Sequence, residues 1–98
     1  MVKEVIWPLA AQKQLEKAYK YILKRSYQNA KKVRQGLLTS TRELPNNPER
    51  HPRDKYRKEN DGSFRAYELH HYRIAYQVTE KQVIIVHVRH TGMEPLYH

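Results

Sequence analysis

Residues 64–90 hold three segments, FRAYEL (64–69), YRIAYQV (72–78) and VIIVHVRH (83–90), joined by very short links. Each is rich in β-branched and aromatic residues, and links so short admit only antiparallel neighbours, so the stretch reads as a β-meander. Alternation assigns the faces. Tyr72, Ile74, Tyr76 and Val78 form an apolar row, with Arg73, Ala75 and Gln77 opposite. In the last strand Ile84, Val86 and Val88 take one face, and Ile85, His87 and Arg89 the other. Tyr67 and Leu69 complete the apolar side.

Register follows from the turns. With His70 and His71 at the centre of a tight turn, Leu69 faces Tyr72 and Glu68 faces Arg73. A three-residue turn at Glu80, Lys81 and Gln82 then sets Tyr76 against Val86 and Arg73 against Arg89. Like charges directly opposed across strands are unfavourable unless something negative lies beside them. Glu68 supplies one negative charge, and a bound anion could supply more. The competing explanation is a solvated face carrying a Glu68–Arg73 pair worth about 0.2–1 kcal/mol.

Upstream, VKEVIW (2–7) reads as a strand, and Pro8 suits the first turn of a helix. Ala11, Leu15, Ala18, Tyr19 and Ile22 fall at helical spacing up to about Arg25. A second helix is predicted from an Asn29 cap to Leu44, with a stripe of Ala30, Val33, Leu37, Thr41 and Leu44; Pro45 stops it. Gly36 within it would permit close packing. The order β-α-α-β-β-β gives an α+β fold in which a helical hairpin covers one face of a mainly antiparallel sheet. Residues 1–98 make one domain, and 45–63 reads as a mobile loop with a basic burst, RHPRDKYRK, at 50–58.

The chain carries 19 Lys and Arg against ten Asp and Glu, a net +9. Such a charge favours nucleic acid, ribosomes or an acidic protein. No cysteine is present, which excludes disulfides and thiolate metal sites. His87 and His90, three apart on a strand, point to opposite faces, and the adjacent His70 and His71 meet the same difficulty, so no metal or other cofactor is expected. No run approaches the roughly 18 apolar residues of a membrane span, and no secretory leader is visible, which predicts a cytoplasmic protein without a membrane partner.

Trp7 to Ile22, the signature YRIAYQV, the strand VIIVHVRH and the tail TGMEPLY together resemble the RelE/ParE superfamily of bacterial toxins over nearly the whole chain. These are the toxins of type II toxin–antitoxin modules, also known as plasmid stabilisation proteins. The resemblance implies an acidic, partly disordered antitoxin as partner. It also implies one of two activities. RelE-like members cleave mRNA on the ribosome without a metal, by attack of a 2′-hydroxyl on the adjacent phosphate, and arrest translation. ParE-like members poison DNA gyrase and lack nuclease residues. A non-toxic basic nucleic-acid-binding module is the remaining alternative.

On the nuclease reading, Arg73 matches the family's phosphate-contacting arginine and Tyr97 its base-stacking tyrosine. Arg73 and Arg89 would clamp the scissile phosphate, with His87 or His90 as general acid and Glu68 as base or positioning group. The lysines of RelE itself are replaced near Ala66 and Glu68, and its late arginine near Gly92 or Met93. Arg50, Arg53, Lys55, Arg57, Lys58 and Arg65 would bind RNA. His98, the last residue, carries no assigned role.

Overall fold

A computed structural model of the chain describes residues 3–93. Strand β1 (Glu4–Ile6) leads into helices α1 (Leu9–Leu23) and α2 (Tyr27–Arg42). A 3-10 turn (Leu44–Asn46) follows, then strands β2 (Phe64–Leu69), β3 (Tyr72–Val78) and β4 (Gln82–His90). The sheet order is β1-β4-β3-β2. β1 lies parallel to β4 and the other pairs are antiparallel. The α+β architecture is as the sequence predicts. No helix among the described residues is long and apolar enough to cross a membrane.

Ala11, Leu15 and Ala18 of α1 and Ala30, Val33, Leu37 and Thr41 of α2 are the buried residues of the hairpin, so both stripes point inward. Ala11, Leu15, Ala18, Val33 and Leu37 close on Tyr72, Ile74 and Tyr76 of β3 and Val83, Ile85 and Val88 of β4. Burying side chains of this size contributes about 1.5–3 kcal/mol each. Helix α2 starts earlier than predicted. Ser26 is its N-cap and its Oγ accepts from the Asn29 N–H at 3.1 Å, so Asn29 is inside the first turn. Pro8 stands at the N-cap of α1 with extended backbone (φ −57°, ψ 156°), one step before the first helical residue.

The β2–β3 turn is as tight as expected. His70 and His71 both take positive φ (52° and 69°), the mirror-image turn geometry that matches strand twist. It holds Leu69 against Tyr72 and Glu68 against Arg73. The turn also explains Gly36: a Cβ there would come within 2.7 Å of His70 Nε2, so the imidazole packs directly on the α2 backbone.

β4 corrects one expectation. Tyr76 pairs with Ile85 and Ala75 with His87, which leaves Val86 as an extra residue, a β-bulge. Val78 pairs with Val83, so four residues lie between the paired positions, one more than predicted. Side-chain parity therefore switches along β4. Val83 and Ile85 enter the core before the bulge and Val88 after it. Ile85 was expected on the open face; Ile84 and Val86 were expected inside, and each is only half-buried. Beyond the bulge His87 and Arg89 lie on the face away from the helices, as predicted. The inserted residue lets one strand serve both faces.

Candidate functional site

The open face is not open. Ala66 and Ala75 point away from the helices, yet they are 2% and 1% exposed. Their cover is the 47–63 segment, which the sequence presented as a mobile loop. It begins on the helix side, where Pro48 O accepts from Tyr76 Oη at 2.7 Å and the His51 ring stacks on Tyr67 at 4.1 Å. It then runs along the outer edge of β2. Ala66 N donates to Pro52 O, Asp54 N donates to Phe64 O, and Arg53 bridges Arg65 as an extra, antiparallel ladder step.

At Asp54 the segment reaches the far face. Asp54 is 2% exposed, and its Oδ1 accepts from Arg73 Nη2 at 2.9 Å. The same oxygen accepts from Tyr56 N at 3.0 Å, closing an Asx turn that brings the Tyr56 ring over the Arg73 guanidinium, 4.7 Å from its centroid. Glu68 Oε2 lies 3.6 Å from Arg73 Nη1, but Glu68 is largely exposed, so this contact is screened and weak. Arg73 Nε is buried and has no acceptor among the described residues.

The register puts Arg89 opposite Arg73 and His87 opposite Ala75, so Glu68, Arg73, His87 and Arg89 share one face as predicted. His87 is buried at 5% exposure. His90 is separated from this group: its ring meets Tyr72 edge-on at 5.2 Å, on the helix side of the sheet. Tyr97 lies outside the described residues. Among the described residues, no three His, Asp or Glu side chains gather as a metal site requires.

Of the six basic residues proposed for RNA, Arg57 and Arg65 are half-buried and Arg50, Arg53, Lys55 and Lys58 are exposed. Arg65 donates through Nη1 to Glu49 O and His51 O. Arg57 sits 3.7 Å above the Phe64 ring, and Arg53 lies over Gly62. Lys55 stands 5.2 Å from the Tyr56 ring centroid; Arg50 and Lys58 are exposed. The segment is only slightly basic on balance, since residues 47–63 hold five Lys and Arg and four Asp and Glu. Burial raises the hydroxyl pKa of Tyr67, and that of Tyr76 to about 12, so both phenols stay neutral hydrogen-bonding groups.

Sequence reasoning missed Asp54 and Tyr56. Their signal was a single carboxylate inside a basic run, followed two residues later by an aromatic. Arg73, opposed to Arg89, does have a negative neighbour, and the protein supplies it.

With this geometry in place, comparison with known proteins decides the family. The family model for the ParE toxin of the type II toxin–antitoxin system parDE matches residues 5–95. The chain belongs to the ParE toxin family. Two solved structures carry the same fold at 16% identity. One is a chromosomal ParDE system from P. aeruginosa, with a TM-score of 0.73 over 93% of this chain and 98% of that one. The other is the RelBE2 toxin–antitoxin complex from Mycobacterium tuberculosis, with a TM-score of 0.63 over 92% and 99%. No curated protein sequence matches the chain. ParE membership accords with the order of elements, the helical hairpin and the YRIAYQV strand at the centre of the sheet.

Proposed function

We propose that this ParE-family toxin acts by binding DNA gyrase, not by cleaving mRNA, and that an acidic antitoxin holds it in check. The observation that carries the reading is the state of Arg73. A nuclease needs that guanidinium available for charge developing on phosphate. Here it is occupied by the buried Asp54 carboxylate, approached by Glu68 and covered by Tyr56. Breaking such a buried pair to admit a phosphate costs several kcal/mol. A binding protein has no such requirement, and the Asp54–Arg73 pair then serves to fasten a surface segment. The solved structures that share this fold come from toxin–antitoxin systems, which supports an antitoxin segment that folds on binding.

One observation favours the nuclease reading. Arg73 Nε is buried without an acceptor among the described residues, and Glu68, His87 and Arg89 share its face. A phosphate that displaced Asp54 would meet two guanidinium groups. Purified protein added in parallel to gyrase with supercoiled DNA and to translating ribosomes separates the two. Trapped, cleaved DNA with intact mRNA is the expected result. Cleaved mRNA with no effect on gyrase overturns the proposal.

A further inference from the structure

The net charge of this protein sits almost wholly on the helical hairpin. Between Leu9 and Arg42 there are nine of the 19 Lys and Arg, and Glu16 is the only acid; the rest of the chain has ten basic and nine acidic residues. Lys13, Lys17, Lys20 and Lys24 form the centre of this surface, and all four are exposed. At about 100° per residue they fall within about 60° of one another, opposite the buried Ala11, Leu15 and Ala18. At a rise of 1.5 Å per residue they make a straight rail about 16 Å long. Glu16 approaches Lys20 at 3.6 Å, with both side chains about two-thirds exposed, so it offsets little of the field.

We infer that the outer face of α1 is a binding rail for the phosphate backbone of duplex DNA, without sequence preference. A protein partner would be expected to meet an apolar centre, because interface cores are depleted in charged residues. Here exposed Leu9 stands at the N-terminal end of the face and Tyr21 and Leu23 at its sides, and the centre is four ammonium groups. A single strand would be expected to meet a row of aromatic platforms for its bases. Along this face the aromatic is Tyr21, with Arg25 set 5.8 Å from its ring. A rigid duplex presents roughly one negative charge per 1.7 Å, dense enough to engage every lysine of a 16 Å rail at once. Lysine suits the task as a mobile point charge that needs no fixed geometry. The site goes beyond the gyrase reading and stands without it.

The test is fluorescence anisotropy with a short labelled duplex of mixed sequence, titrated between about 50 and 200 mM salt. The wild type is compared with the fourfold variant Lys13→Gln, Lys17→Gln, Lys20→Gln, Lys24→Gln. A charge-matched control carries Arg50→Gln, Lys55→Gln, Lys58→Gln, Lys81→Gln; all eight positions are exposed. Each ammonium that engages a phosphate adds about 0.9 to the salt slope, so the fourfold α1 variant should flatten it by about 3–4. Over that range the wild type should then lose roughly a hundredfold more affinity than the variant. The control should keep most of the wild-type slope. Equal slopes for wild type and α1 variant, a larger loss in the control, or binding to a poly-glutamate peptide but not to DNA would each overturn the inference. Circular dichroism confirms that both variants are folded.

Discussion

On the helix side of the sheet, Ile74, Tyr76, Val83 and Ile85 are fully enclosed by the apolar stripes of two helices. On the far side Ala66 and Ala75 are enclosed almost as completely, by a segment whose decisive contacts are a carboxylate, a phenol ring and a guanidinium. The difference lies in redundancy. An apolar face distributes its free energy over many side chains, so each loss is partial. The far face depends on one buried ion pair, and removing one partner strands the other.

The sharpest way to break this comparison is Asp54→Ala. It leaves Arg73, 16% exposed at its side chain, without its closest counter-charge and removes the Asx turn that positions Tyr56. A loss of roughly 3–5 kcal/mol is expected on chemical denaturation, against a total stability of about 5–15 kcal/mol for a domain of ordinary size. Pairing it with Arg73→Met should recover most of that loss, because the buried charge then disappears from both sides. If Asp54→Ala alone costs less than about 1 kcal/mol, the segment is held by its backbone bonds to β2 and the contrast fails.

A second measurement sharpens the helix-side half. The bulge at Val86 directs Ile85 into the core and leaves Ile84 half-buried on the other face. Ile85→Ala should cost about 2–5 kcal/mol, and Ile84→Ala no more than about 1. An unbroken alternation through Val86 would reverse that order, so equal or inverted costs would refute the register.

The two faces also differ in how far the chain announces them. The helical stripes were legible because Ala11, Leu15 and Ala18, like Ala30, Val33, Leu37 and Thr41, repeat with the period that buries them. The Glu68–Arg73 pairing was legible because a two-residue turn leaves one register. The Arg73–Arg89 pairing came out as expected because the bulge at Val86 offsets the extra residue of the β3–β4 turn. The bulge was not, since IIVHV holds no Gly or Pro to mark an inserted residue. Nor was the Asp54–Arg73 pair. It joins residues 19 apart through a segment without periodicity, and a carboxylate among cations looks the same whether it is solvated or buried. Residues 50–58 hold five basic residues and one acid, and Glu49, Glu59 and Asp61 close by offset part of that charge.

The smallest effect probes the seam between the faces, where His51 stacks on Tyr67 as the segment crosses the edge of β2. Burial, and then the positive charge of Arg50, hold the His51 pKa below its ordinary 6.5. The folded protein therefore binds this proton less readily than the unfolded chain. The stability tied to neutral His51 is complete above pH 6.5 and is lost as the pH falls through the folded-state pKa. His51→Phe keeps a ring against Tyr67 and removes the titration. The stability difference between wild type and variant, measured by urea denaturation from about pH 7 down to pH 5, should fall as the solution is acidified. The other histidines contribute equally to both proteins and cancel in that difference. A difference independent of pH would mean that His51 is protonated as easily folded as unfolded, and that the segment leaves the sheet before it reaches Tyr67.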